Sequence, residues 1–344
     1  MSKGRGKPVR NRRRIGGWLC TLAAFLLLAL LGVSDWWVHH PLDWQWSFKN
    51  RVPERGLERF IALGNWTANV TDNLGWTGRD CEVAAAGLSL DTNLLACAGL
   101  PRAKPGGVAP KDIKVLRRNG FVVGWSPSLR HPVWVAYRTF PAPPYDPNVK
   151  RPGFRADPQA ERSPKSEAYR NTGFDRGHLA PNLAIARRYG KDGQRDSFLT
   201  SNICPQTPQL NQGPWYELEY RISEVWPDIY GSVWTIVGAI PSPAGKRLPD
   251  GVDIPTGFYQ IVLAQTSGGI KALAVIIPQR VRRYDYARQR LVSIDELESA
   301  TGLDFLSELP DDVENALESQ TATRLWPSGL GALWRVIRER YRRY

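Results

Sequence analysis

The chain has 344 residues, enough for one large domain or two small ones. Its 42% hydrophobic content and 14 tryptophans exclude a disordered chain. The formal net charge is +13, yet seven Lys or Arg fall in the first fourteen residues and a net +4 in the last ten. The body between carries only about +2, so the total is not one basic surface, and any polyanion site there must come from local arrangement.

Taken in chain order, residues 1–14 form a basic, cytoplasmic tail. The uncharged run from Ile15 to Ser34 holds Trp18, Leu19, Phe25 and a string of Leu and Ala. Twenty residues at a helical rise of about 1.5 Å reach about 30 Å, the thickness of a bilayer's hydrocarbon core. A single-pass transmembrane helix is expected, with the basic flank inside and the rest outside. A cleaved signal, which would make the protein secreted, is the competing reading, although no Ala-x-Ala site closes the run. Residues 35–113 read as an extension or linker, with Pro101, Pro105 and Pro110 around Gly106 and Gly107.

From residue 114 to about 320 short strands and turns dominate. Gly120–Trp125 and Pro132–Phe140 contain the β-branched and aromatic residues of a strand pair. Pro141–Pro164 reads as a long surface loop. Val233–Ile240, Phe258–Ala264 and Ala272–Ile277 are apolar runs suited to buried strands. Helices are expected at Pro214–Val225 and Ile294–Thr301. The class is therefore α+β. Residues 321–344 form a basic tail whose apolar and Arg positions suit either an amphipathic helix on an anionic surface or a solvated terminus.

Cys81 and Cys97 are sixteen residues apart, which suits either a disulfide in an oxidising compartment or two buried thiols. With four histidines and no Cys-x-x-Cys pair, a structural zinc site is not expected. The Arg280–Arg290 run mixes basic and aromatic residues, as a single-strand groove or a solvated loop would.

Two polar segments can carry chemistry. Asn171 to Asn182 reads NTGFDRGHLAPN, with one histidine flanked by an acid, an arginine and a glycine. Thr200 to Glu219 reads TSNICPQTPQLNQGPWYELE and offers oxygen donors at Asn211 and Glu219. On one helix starting near Asn211, these would share a face about 12 Å apart. That is too far for one inner coordination shell, but a magnesium ion keeps several waters and needs few protein ligands.

Asp175-Arg176-Gly177-His178, then Asn202-Ile203-Cys204-Pro205-Gln206, then Leu210-Asn211-Gln212-Gly213 and Glu219, resemble the DNA/RNA non-specific endonuclease family, the ββα-metal group that includes endonuclease G. Trp134-Val135-Ala136-Tyr137, Ile254-Pro255-Thr256 and Thr301-Gly302-Leu303-Asp304-Phe305 agree with it. The resemblance spans residues 114–320. It implies a central, mainly antiparallel sheet flanked by helices, and hydrolysis of DNA or RNA to 5′-phosphate ends.

By the same resemblance, His178 matches the general base, Asn211 the direct protein ligand of Mg2+, and Glu219 the acid that holds the cation's water. Arg176 matches an arginine near the scissile phosphate. Arg151 or Arg155 matches a further phosphate-binding arginine upstream. Where the family tends to carry an arginine after the glutamate, this chain has Ser223, and Arg221 is the candidate substitute. Mn2+ can replace Mg2+ at oxygen ligands. The chemistry fits: an anionic phosphodiester needs charge neutralisation as well as a base, and imidazole accepts a proton at neutral pH. Contacts to backbone rather than base edges discriminate sequence weakly. The alternative is an inactive envelope protein that only binds nucleic acid.

Overall fold

In the computed structural model the chain divides into two units, Met1–Val70 and Thr71–Tyr344, and the account below concerns the second. The structure describes residues 78–85, 87–142, 150–282, 285 and 287–327, and ten positions before residue 76. The expected membrane segment at 15–34, the early helix near Leu57–Leu63 and most of the basic tail therefore lie outside the described residues. Among the described residues, no helix is long and apolar enough to cross a membrane.

An eight-stranded sheet, antiparallel at every pairing, organises the domain. Its strands are β1 (Cys81–Val83), β3 (Lys114–Arg118), β4 (Phe121–Ser126), β5 (His131–Thr139), β8 (Val233–Ile240), β9 (Gly257–Gln265), β10 (Ile270–Pro278) and β11 (Leu291–Val292). The spatial order is β1-β10-β9-β8-β5-β4-β3, with β11 also on β10. β4, β5, β8, β9 and β10 are buried along nearly their whole lengths, so both faces of the sheet are covered. This explains why their sequences are continuous apolar runs and do not alternate. β3 is the exposed edge, and its Lys114 and Arg117 discourage pairing with another chain.

Two small ribbons complete the strands. β2 (Arg102–Ala103) pairs with β12 (Leu303–Asp304), and β6 (Asp175–His178) pairs with β7 (Ile203–Gln206). β1 and β2 thus bring residues 81–103, expected as a linker, into the same body as the later strands. The prolines and glycines near Gly106 make turns within it: the Lys104 N–H donates to the Gly302 carbonyl at 2.8 Å. Residues 322–327 likewise dock. Arg324 pairs with Asp80, which also holds Lys271 at 2.7 Å, and Trp326 lies 5.0 Å from Trp226 in the core. Cys81 and Cys97 are free thiols, and burial pushes them up to about 11 and about 12, so the disulfide alternative is not the one seen.

The helices are α1 (Asn182–Ser197), α2 (Pro208–Asn211), α3 (Pro214–Tyr220), α4 (Trp226–Tyr230), α5 (Ile294–Thr301) and α6 (Asp311–Glu318). α3 runs through a π-helical turn, Arg221–Val225, into α4. Trp215 of α3 meets Phe258 of β9 edge-on at 5.5 Å, which fixes the helix to the sheet. α5 opens with a reciprocal capping box between Ser293 and Glu296 and closes on left-handed Gly302.

Candidate active site

The functional geometry is set by the β6–β7 ribbon and the helices after it. Register places His178 opposite Ile203 and Gly177 opposite Cys204. A Cβ on Gly177 would sit 2.1 Å from the buried Gln206 Oε1, so the ribbon closes only with glycine there. Beyond His178 the chain is held by Asn202. Its Oδ1 accepts from the Ala180 N–H at 2.8 Å, and its Nδ2 donates to the carbonyls of Ala180 and Ser197 at 2.9 and 3.0 Å. Asn202 therefore ties β7 and the end of α1 to the residues just past His178, and its amide bonds to backbone rather than binding a cation.

The His178 ring packs against Phe154, at 5.3 Å, and Phe198, at 5.0 Å, two rings that also meet each other at 4.9 Å. Burial, with Arg151 as a second cause, pushes its pKa down to about 3. The imidazole is thus neutral across the physiological range, and its Nε2 is buried without a hydrogen-bond partner.

Asn211 ends α2, Gly213 breaks the helix at φ −109°, ψ −119°, and Glu219 rides on α3. The helix carrying Glu219 starts at Pro214, as expected, and Asn211 stands on a separate short helix, because Gly213-Pro214 interrupts the hydrogen-bond ladder. Asp175 Oδ2 accepts from Asn211 Nδ2 and from Gln212 Nε2, each at 2.9 Å. Only the amide nitrogen can donate to a carboxylate, so this bond fixes which way the Asn211 amide faces and leaves its oxygen as the donor for a cation. Trp215 Nε1 donates to Glu219 Oε1 at 3.0 Å and orients that carboxylate.

These groups meet in one open cleft of about 490 Å³. His178, Asn211, Glu219, Arg151 and Arg176 all line it. Arg176 stacks its guanidinium on Phe154 at 4.8 Å and donates to Ser166 Oγ at 2.7 Å. Arg151 sits 5.5 Å from the Phe198 ring centroid. Arg155 and Arg221 are not brought to the cleft. Arg155 is exposed, with its backbone bridged to Leu199. Arg221 is fully buried and pairs with Glu217 at 3.2 Å. Ser223 does line the cleft, two residues further along the π-helical turn.

Sequence reasoning missed Asn182, whose buried Oδ1 has no hydrogen-bond partner, and Gln212 and Tyr216, all on the cleft wall. Asn182 and Gln212 stood inside the quoted motifs, but nothing in their spacing distinguished them. Cys204 is buried with its thiol pushed well above the ordinary range, so it is no nucleophile. Arg290, in the basic-aromatic run, is largely buried and lies 3.7 Å from Asp285.

The β6–β7 ribbon presents an imidazole, and the two short helices after it present a carboxamide and a carboxylate, at one cleft that two arginines also line. The chain belongs to the DNA/RNA non-specific endonuclease family, whose profile matches residues 99–312, and it is by family a hydrolase of the nuclease kind. It is 33% identical to a nuclease of Nostoc over 161 residues, covering 44% of this chain and 57% of that one. It is 29% identical to bovine mitochondrial endonuclease G over 238 residues, covering 61% and 79%. Against the Serratia marcescens nuclease it is 27% identical over 216 residues, covering 59% and 79%. A chain of a solved EndoG/EndoGI complex superposes with a TM-score of 0.54 at 21% identity, covering 66% of this chain and 95% of that one; this likeness concerns the fold.

Proposed function

We propose that the protein is a magnesium-dependent endonuclease that cuts DNA or RNA with little sequence preference, leaving 5′-phosphate ends. The observation that carries this reading is that His178, Asn211 and Glu219 share one cleft with two arginines. The donor set fits a hard cation: a carboxamide oxygen fixed by Asp175 and an oriented carboxylate, both oxygen ligands. Asn211 would hold Mg2+ directly and Glu219 through water, with Mn2+ as a substitute. When bound, the cation supplies Lewis-acid stabilisation of the negative charge that builds on the phosphoryl group.

The chain's own residues do the rest. His178, neutral and on the cleft wall, takes the proton of the attacking water. An imidazole held near pKa 3 is a weak base, but a phosphodiester anion in the cleft offsets the repulsion from Arg151 and raises it when substrate binds. Arg176 and Arg151 present guanidinium groups suited to phosphate oxygens. Contacts of this kind are to the backbone of the nucleic acid, which is why base identity matters little.

The test is digestion of supercoiled plasmid and of single-stranded RNA by the full chain with Mg2+, with Mn2+ and with excess EDTA. Cleavage at many sequences, lost in EDTA and yielding 5′-phosphate ends, is the expected result. Binding of both nucleic acids without cleavage would favour the inactive envelope protein. For location, the basic flank and the apolar run at 15–34 support a single-pass anchor that places the nuclease domain outside the cytoplasm. Retention of the protein in membranes after a carbonate wash is expected; a mature N-terminus beyond Val33 would mean a cleaved signal and a secreted protein.

A further inference from the structure

Away from the cleft, Asp295 and Glu298 on α5 and Glu318 on α6 bring one carboxylate oxygen each to within 4.8 Å of one another. Such clusters are common on surfaces, but this one is built differently. Glu318 is only 7% exposed, and its Oε1 is buried with no hydrogen-bond partner. It stands in the last turn of α6, where the helix dipole already disfavours an anion. Glu298, also buried, is held in place by the Phe305 N–H at 2.9 Å and by the Lys104 ammonium. Asp304 and Glu314 add further negative charge nearby. Lys104 is the one basic partner of the cluster among the described residues, and it engages Glu298 rather than Glu318.

We propose that Asp295, Glu298 and Glu318 form a structural calcium site that pins α6 to α5. A hard divalent cation neutralises a group of anions that a single lysine does not. Oxygens within 4.8 Å of one another can share a calcium ion, whose oxygen distances of about 2.4 Å and flexible coordination suit a site built from three carboxylates and water. Asp295 is exposed, so the cation enters from solvent and keeps water on that side.

Calcium bound per full-length chain, measured by flow dialysis, tests this site separately from the nuclease cleft. Glu318→Gln and, independently, Asp295→Asn should each bind one calcium fewer than the parent and lose the rise in thermal midpoint that calcium gives the parent. The midpoint without calcium should equal or exceed the parent's in Glu318→Gln, which shows that the variant folds. Asp295 is exposed, so its substitution serves if Glu318→Gln does not fold. Unchanged calcium stoichiometry in the folded variants, or no calcium-induced stabilisation of the parent, would overturn the proposal.

Discussion

Asp175 Oδ2 accepts a hydrogen bond from Asn211 Nδ2 at 2.9 Å across the 36 residues that separate them in sequence. The bond fixes the rotation of an amide whose two ends differ in chemistry, since only the oxygen can meet a cation. Asp175→Ala should raise the Mg2+ concentration for half-maximal activity about tenfold or more, with the rate largely restored at saturating Mg2+. A magnesium titration of initial rates checks this. An unchanged magnesium requirement would mean that Asn211 does not depend on Asp175.

Burial holds the His178 pKa near 3 against an ordinary value of 6.5. Between those two pH values the unfolded chain takes up a proton at this ring that the folded protein does not, so stability falls as pH drops through that window and is unaffected above it. His178→Phe fills the same aromatic slot without titrating. Its thermal midpoint should therefore fall less than the parent's between pH 7 and pH 4. Parallel curves would mean that the ring is more solvated than its contacts with Phe154 and Phe198 imply.

Asn202→Ala removes three buried hydrogen bonds and leaves the Ala180 N–H without its acceptor. A loss of about 1–3 kcal/mol per unsatisfied buried group is expected in urea unfolding. Activity should fall about a hundredfold, because the chain that positions His178 is released. Full activity with reduced stability would confine Asn202 to a structural role remote from the histidine.

Arg221→Met replaces a fully buried guanidinium paired with Glu217. Breaking a buried pair from one side costs about 3–5 kcal/mol, so unfolding should move to much lower urea. KM for nucleic acid should stay the same, since Arg221 does not line the cleft. A raised KM at unchanged stability would instead place Arg221 on the substrate.

The elements readable from sequence were those with strong local signals. Val233–Ile240 and Ile294–Thr301 have the bounds expected from an apolar run and a helical pattern, and the second carries the Ser293–Glu296 capping box. α1 escaped because Gly190, at φ 69°, kinks it, and its sequence from Arg187 to Ser197 is too polar to show a core-facing stripe. The helix start at Pro214 was legible, but the four-residue helix Pro208–Asn211 before it was too short to show a periodic pattern. The motifs put His178, Asn211 and Glu219 in order along the chain, but only the fold brings them to one cleft. Spacing also did not separate Arg151 from Arg155, or show that Arg221 turns inward while Ser223 meets the cleft. Those outcomes depend on which side of a loop or helix faces the sheet, a property of packing rather than of local sequence.

The central claim is that the His178 imidazole removes a proton from water attacking a phosphodiester beside a cation held at Asn211. Single-turnover cleavage of a labelled duplex by full-length His178→Ala at saturating Mg2+, with magnesium affinity measured alongside, tests it most directly. Loss of a general base predicts a rate about 10²–10⁴-fold lower with magnesium affinity unchanged. A rate equal to that of the unaltered chain would contradict the account.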